Sequence, residues 1–204
     1  ITAQFKEPRQ EQEIKTSLQE RRNVSDTISQ KVQEMYENNP YPRFKFADYT
    51  NSDLANTIHK SIEFEATRKS LSFSDELKSP TATPKVLIAG CGTGDQVIGA
   101  SRYKNAIITA IDLSSSSLAY AIRKSMEYGM GHVTFKQMDL LNVAEIGDTF
   151  DIIECSGVLH HMEKPSKGLS KLIQQLKPGG YIKLGLYSEI ARKVIVEARK
   201  TIKT

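Results

Sequence analysis

The sequence predicts an α/β protein: a doubly wound, mostly parallel sheet with a helical appendage at its N-terminus. Three observations carry that expectation. The stretch from Lys85 to Asp95, KVLIAGCGTGD, is a short apolar run that breaks into glycines at alternate positions. Beyond it, apolar runs of strand length alternate with segments of helical periodicity, at the spacing of βαβ units. Residues 1–80 lack that alternation, and Ser79 to Pro84, SPTATP, reads as a linker.

Lys6 to Arg22 is dominated by Glu, Gln, Lys and Arg, with Ile14 and Leu18 four apart, the pattern of a solvated helix or of an unstructured arm. Ser25 or Asp26 can cap a following helix, on which Val24, Ile28, Val32 and Met35 form a narrow apolar stripe suited to packing on the main domain. Asn38-Asn39-Pro40 ends it, because proline disfavours the helical conformation in the residue before it. Next, Tyr41-Pro42-Arg43-Phe44-Lys45-Phe46 sets aromatics and cations on a backbone stiffened by proline. Two roles are open to it, a lid on a pocket or a pin between appendage and core. Leu54 to Leu77 carries Leu54, Ile58, Ile62 and Phe64 and reads as a helix. The boundary then falls near Pro80, dividing an appendage and linker, 1–80, from a second domain, 81–204.

Val86 to Ala89 is too short for a helix and reads as a buried first strand. A helix from about Asp95 to Tyr103 and a second strand from Ala106 to Leu113 follow. Ser114 to Ser117 offer caps for a helix carrying Leu118, Ala121, Ile122 and Met126, which Gly129 or Gly131 can end. Val133 to Met138 and Asp151 to Cys155 are the third and fourth strands. Leu169, Leu172, Ile173 and Leu176 mark another helix, ended by Lys177-Pro178-Gly179-Gly180. A fifth strand from Tyr181 to Tyr187 and a last helix from Glu189 to Ile202 complete the alternation.

With 204 residues, 39% of them apolar, the chain has material for one substantial core. No apolar run approaches the ~18 residues of a membrane span. The 28 basic and 24 acidic residues are scattered, without the concentrated patch that marks nucleic-acid binding, so neither a nucleic-acid nor a membrane partner is expected. Cys91 and Cys155 are too few for a disulfide framework and lack metal-ligand spacing; a reducing cytoplasm and no metal are expected.

Gly90, Gly92 and Gly94 allow a tight turn whose backbone approaches a ligand closely, which points to a nucleotide cofactor. Asp112 ends the second strand about 20 residues beyond, where an acid reaches a ribose diol, two donors meeting two acceptor oxygens. Asp139 ends the third strand and can accept from an adenine amino group, with Met138 and Leu140 flanking the base. Each acid also has a plainer role as a strand-end or turn residue. A nicotinamide-dependent dehydrogenase spaces its glycines G-x-G-x-x-G; here they fall as G-x-G-x-G, and Asp95 stands where the third would be, an unfavourable neighbour for a pyrophosphate. A cofactor without phosphates meets no such conflict.

Over roughly Lys85 to Ile202 the chain resembles the class I S-adenosylmethionine-dependent methyltransferases. The resemblance rests on VLIAGCGTGD, AIDLS at 110–114, MDL at 138–140, FDIIECSGVLHHM from Phe150 to Met162 and LKPGGYIKLGLYS from Leu176 to Ser188. LHHM and LKPGG look like the small-molecule type of this domain, and NNPYPR with IAGCGTG looks like a bacterial subgroup. The resemblance implies a Rossmann-like sheet, S-adenosyl-L-methionine as cofactor and methyl transfer to a small-molecule acceptor. It implies that Gly90, Cys91, Gly92 and Gly94 surround the methionine part of the cofactor, that Asp112 with Leu113 holds the ribose, that Met138, Asp139 and Leu140 hold the adenine, and that Cys155, Ser156 and Gly157 line the sulfonium side. Ile88 stands where the family usually has an acid, so that acid's interaction near the cofactor's amino end must be replaced or absent. The family sheet also closes with an antiparallel hairpin of strands six and seven, which this sequence lacks, so the fifth strand is expected to present a long edge.

Methyl transfer from a sulfonium is an in-line displacement in which the protein mainly supplies orientation, worth roughly 7 to 11 kcal/mol in favourable cases. A base is needed only where the acceptor must lose a proton. His160 and His161 follow the fourth strand, and because adjacent side chains usually point apart, at most one is expected to face the pocket. Tyr41, Arg43 and Tyr187 are further acceptor-side candidates. The Asn39-Pro40-Tyr41-Pro42 string is not the motif of adenine- and amide-nitrogen methyltransferases, whose place after the fourth strand is taken by Cys155-Ser156-Gly157-Val158. Two other functions stay open: a non-catalytic cofactor-binding scaffold and an NAD-dependent oxidoreductase. Cys91 and Cys155 fall on adjacent strand tips in the family's strand order, either as two buried thiols or as a redox-sensitive pair.

Overall fold

The computed structural model describes residues 2–18, 26–70 and 81–188, together with 190, 191, 193 and 201. In chain order the elements are α1 (Glu7–Ser17), α2 (Thr27–Asn38), α3 (Ile58–Arg68), β1 (Lys85–Ala89), α4 (Asp95–Gly99), β2 (Ile107–Asp112), α5 (Ser115–Glu127), β3 (Thr134–Gln137), β4 (Phe150–Ser156), α6 (Pro165–Ile173) and β5 (Leu176–Gly185). The strands form one parallel sheet in the order β3-β2-β1-β4-β5. From β1 the chain first steps outward through β2 and β3, then returns to add β4 and β5 on the other side. That reversal leaves a crevice at the carboxyl ends of β1 and β4.

Side-chain alternation explains why β1 is continuously apolar. Val86 and Ile88 enter one core with Val97, Ile108, Leu118 and Ile152, whereas Leu87 and Ala89 enter the other with Ile111, Phe150, Ile153 and Leu172. Each large aliphatic chain fully buried in this way contributes about 1.5–3 kcal/mol. Ile88 is wholly inside the first core, and its register partner on β4 is Glu154.

β5 begins five residues earlier than the sequence suggests. Leu176 already pairs with Phe150, and pairing resumes at Tyr181 opposite Ile152. Lys177-Pro178-Gly179-Gly180 is therefore an irregularity within the strand rather than a break before it, tolerated because β5 lies at the sheet edge, where proline's missing N–H leaves no partner unmet. Among the described residues the sheet has five strands and no antiparallel hairpin. Of the helix expected from Glu189 to Ile202, only residues 190, 191, 193 and 201 are described, all helical. The helix expected over Leu54 to Leu77 is a 3-10 turn at Ser52–Leu54 followed by α3; residues 71–77 and the expected boundary at Pro80 lie outside the described residues.

The N-terminal elements are fastened to α5. Glu11 on α1 accepts from Arg123 Nε at 2.9 Å and from Arg43 Nη2 at 2.8 Å, and Glu7 lies 3.3 Å from Arg123, whose side chain is 6% exposed. Asp26 caps α2 by accepting from the Ser29 N–H at 2.7 Å. Between α2 and α3 an extended strap is held by its own backbone atoms. Thr93 Oγ1 donates to Pro42 O, Tyr120 OH to Phe44 O and Lys124 Nζ to Lys45 O; the Ala47 N–H donates to Tyr128 OH and the Thr50 N–H to Ser101 Oγ. Tyr120, Lys124 and Tyr128 recur every four residues, so one face of α5 and its end carries three of the five fasteners.

Candidate functional site

The carboxyl ends of β1, β2 and β4 open on a cavity of about 270 Å³. Its floor is the glycine turn. Gly90 and Cys91 donate their N–H groups to Ile111 O at 2.8 and 2.9 Å, closing the turn against β2. Gly90 has φ +73°, and a Cβ there would stand 2.2 Å from Cγ2 of Val158, so only glycine lets the loop after β4 come this close. Gly92 has open space on its Cβ side and lines the cavity. Gly94 does not line it: at φ +96° it touches Ala121 of α5, and its task is to seat that helix against the turn.

Asp112, at the end of β2, faces the same space. Its Oδ2 accepts from the Gly92 N–H at 2.8 Å and its Oδ1 from the Ser114 N–H at 2.9 Å, which fixes the carboxylate and leaves each oxygen a second lone pair. Burial pushes its carboxyl above the ordinary range, against those backbone hydrogen bonds, and the nearby Glu37 adds to the rise. Leu113 beside it also lines the cavity. Asp139 fills the plainer role of a turn residue, its Oδ1 capping the following 3-10 turn by accepting from the Leu141 N–H at 2.9 Å, and it lines the cavity between Met138 and Leu140, which do so too.

Ser156, Gly157 and Val158 form the wall after β4. Cys155 does not line the cavity; its side chain is in the core with Leu159 and Leu172, and burial pushes its thiol up to about 12. Cys91 does line it, and burial, then the charge of Asp112, keeps its thiol well above the ordinary range. Neither is the exposed, low-pKa thiolate on which ready oxidation depends.

At the mouth, His161, Met162, Tyr187 and Tyr41 line the opening, Tyr41 being 73% exposed. His160 does not line it, and the two rings do not point apart: their Nε2 atoms lie 3.1 Å apart, and His160 packs on the Tyr187 ring at a centroid distance of 3.8 Å. Arg43 lies away from the cavity, over the ring of Tyr120 and paired with Glu11. The strap is therefore a pin, fastened from Pro42 to Thr50, and its Tyr41 and Pro42 line the cavity.

Sequence reasoning missed the contribution of α2. Ser29, Val32 and Tyr36 line the cavity, and Met35, expected in the packed stripe, is 49% exposed. The signal was present as an i, i+3, i+7 face that mixes polar and apolar residues. Thr93, between the last two glycines, and Asp95 and Gln96, beyond them, were missed as lining residues as well. The lining holds Asp95, Asp112 and Asp139 but no lysine or arginine among the described residues. Among those residues no cluster of His, Cys, Asp and Glu is arranged to hold a metal, and no helix is long and apolar enough to cross a membrane.

Residues 86–180 match the family described as "Methyltransferase domain". Among sequence relatives, the uncharacterised protein syc1184_c of Synechococcus sp. is 32% identical over 181 residues, 88% of this chain and 42% of its own length. The ubiquinone biosynthesis O-methyltransferase of Pasteurella multocida is 36% identical over 109 residues, 48% of this chain and 44% of its own length. The chain thus spans less than half the length of these curated relatives. Among solved structures, magnesium protoporphyrin IX methyltransferase from Synechocystis PCC 6803 with bound SAH aligns with a TM-score of 0.58 at 17% identity, covering 85% of this chain and 79% of that one. The [4+2]-cyclase SpnF aligns with a TM-score of 0.53 at 23% identity, covering 76% and 59%. These two show the shared fold, which by itself does not fix an activity. Glycine turn, acid-tipped second and third strands and family match coincide on one rim, and over residues 86–180 the chain is similar to the methyltransferase domains that this family describes.

Proposed function

We propose that this cavity binds S-adenosyl-L-methionine and that the protein transfers the methyl group to a hydroxyl-bearing small molecule approaching past Tyr41, His161 and Tyr187. The observation that carries the reading is the Asp112 carboxylate, clamped by two backbone N–H groups yet lining the cavity with acceptor capacity to spare. An all-acidic set of charged lining residues suits a cationic sulfonium and opposes a pyrophosphate, which disfavours a nicotinamide cofactor. Gly92 leaves room for the methionine part, Met138 and Leu140 supply apolar faces for the adenine, and the Asp139 carboxylate lies beside them. With Ile88 buried in the core, and Glu154 beside it held by Arg102 at 2.5 Å, Asp95 is the carboxylate left to meet the cofactor's amino end.

When bound, the donor supplies an electrophilic methyl group and a neutral thioether leaving group. The chain supplies orientation and a closed wall, and His161 is the group placed to take a proton from an acceptor hydroxyl, with His160 in hydrogen-bond contact behind it. The oxygen acceptor is suggested by the O-methyltransferases among the relatives. Residues 1–80 act as an appendage to the catalytic domain 81–204, and the two buried thiols suit a reducing cytoplasm.

The test is calorimetric titration with S-adenosylhomocysteine and with NAD, followed by incubation with labelled methyl donor and a metabolite extract. S-adenosylhomocysteine binding without NAD binding, with label entering a small molecule and lost in His161→Gln, is expected. Preferential NAD binding would overturn the cofactor; binding without any transfer would favour a scaffold.

A further inference from the structure

We infer that Glu37 is a positioning residue that latches α2 over the ribose end of the cavity and so sets how long the cofactor stays. The inference rests on the cofactor reading of the cavity. α2 has two working faces. Ser29, Val32 and Tyr36 turn toward the cavity, while Gln33 and Glu37, one turn apart, grip its rim. Gln33 Nε2 donates to Leu113 O at 2.9 Å. Glu37 reaches the N-terminus of α5: Ser114 Oγ donates to Oε2 at 2.8 Å, the Ser116 N–H donates to the same oxygen at 3.2 Å, and Ser115 Oγ donates to Oε1. Lys15 of α1 lies 2.9 Å from Oε1. A carboxylate is suited to this place, since the first turn of a helix offers unpaired N–H donors and the positive end of the helix dipole.

No apolar side chain of α2 is fully buried: Ile28, Val32 and Tyr36 are half-buried and Ser29 is its one buried residue, so the polar contacts of Gln33 and Glu37 reinforce a modest apolar hold. The latch also reaches the cofactor's proposed anchor. Ser114 gives its hydroxyl to Glu37 and its N–H to Asp112, so a single residue joins the carboxylate that closes the lid to the one assigned to the ribose. Releasing Glu37 frees the lid and loosens Asp112 together.

Glu37→Gln keeps the length of the side chain but removes its charge and turns an amide N–H₂ toward serine hydroxyls. Two measurements test the inference. Dissociation of S-adenosylhomocysteine, by stopped flow, is expected to accelerate about tenfold or more. Hydrogen exchange without ligand is expected to accelerate at residues 29–38 and to stay unchanged in β1 and β4. Glu34→Gln, exposed on the same helix, is the control and leaves both unchanged. Should Glu37→Gln fail to fold, Ser115→Ala removes a single donor and is expected to raise the off-rate a few-fold. If the native protein binds S-adenosylhomocysteine and the variants match it in off-rate and exchange, the latch is overturned. If the native protein does not bind it, the cofactor reading falls instead, and exchange at residues 29–38 still reports whether Glu37 holds the lid.

Discussion

A methyl group added at Gly90 would stand 2.2 Å from Val158, at Gly94 2.8 Å from Cβ of Ala121, and at Gly92 in open space beside the cavity. Alanine substitutions should therefore separate. Gly90→Ala and Gly94→Ala are expected to lose roughly 1–3 kcal/mol of stability through overpacking at a positive φ, with cofactor affinity lost as a consequence. Gly92→Ala is expected to cost about 1 kcal/mol of backbone strain and to weaken S-adenosylhomocysteine binding well beyond what that destabilisation explains. Thermal melts and titration calorimetry on the three variants check this. Asp112 adds a pH signature. Burial raises its carboxyl in the folded state, so the fold binds that proton more tightly than the unfolded chain does. Its contribution to stability therefore grows as pH falls through the raised value, while affinity for a ribose-bearing ligand falls over the same range. Opposite trends in melting temperature and affinity, flattened in Asp112→Asn, are the expected result. Asp112 was legible because strand end and spacing agree; Gly94 was misplaced because a sequence pattern does not reveal which side of a turn a helix will occupy.

Among the elements, α2 and the strap decide how closed the site is. Burial alone would raise Glu37, but hydrogen bonds from Ser115, Lys15, Ser114 and the Ser116 N–H bring its carboxyl down to about 2. The stabilisation it gives α2 is thus fully present above its ordinary 4.5 and is lost as pH falls toward 2, opposite in sign to Asp112. The strap offers a separate test. Tyr120→Phe removes the donor to Phe44 O and Tyr128→Phe the acceptor of the Ala47 N–H. Each is expected to cost about 0.5–1.5 kcal/mol, to speed hydrogen exchange between residues 42 and 50, and to weaken cofactor binding by loosening Tyr41 and Pro42. Strands one to four were readable from short apolar runs bounded by turn residues. β5 was read too late because Pro178-Gly179-Gly180 signals a break wherever it stands, and only pairing with Phe150 shows that the strand has already begun. The lining face of α2 was hidden because Ser29 and Tyr36 interrupt the apolar pattern that identifies a buried stripe.

Across the whole molecule, the buried Glu154 links the sheet to its cover. Arg102 Nη2 donates to it at 2.5 Å, Arg102 Nε lies 3.5 Å from Glu65 of α3, and Glu65 meets Lys183 of β5 at 2.8 Å. Arg102→Met leaves the Glu154 charge buried without its cationic partner and is expected to cost about 3–5 kcal/mol, whereas Arg102→Met with Glu154→Leu should recover much of the loss. Urea unfolding of the two variants decides; equal destabilisation would mean that the charge itself is not what matters. Long-range pairings of this kind were out of reach of sequence reasoning, since Glu65, Arg102, Glu154 and Lys183 share no motif and meet only through the topology.

The fastening of residues 42–50 through backbone atoms has an evolutionary consequence. Pro42, Phe44 and Lys45 offer carbonyl oxygens, available from any residue type in the same conformation, and Ala47 and Thr50 offer N–H groups, available from any residue but proline. Phe46 is 79% exposed and takes no part in these bonds. The path of this segment is therefore constrained while several of its side chains are not, and descendants of this chain can exchange what they display beside the mouth of the cavity without rebuilding the wall behind it.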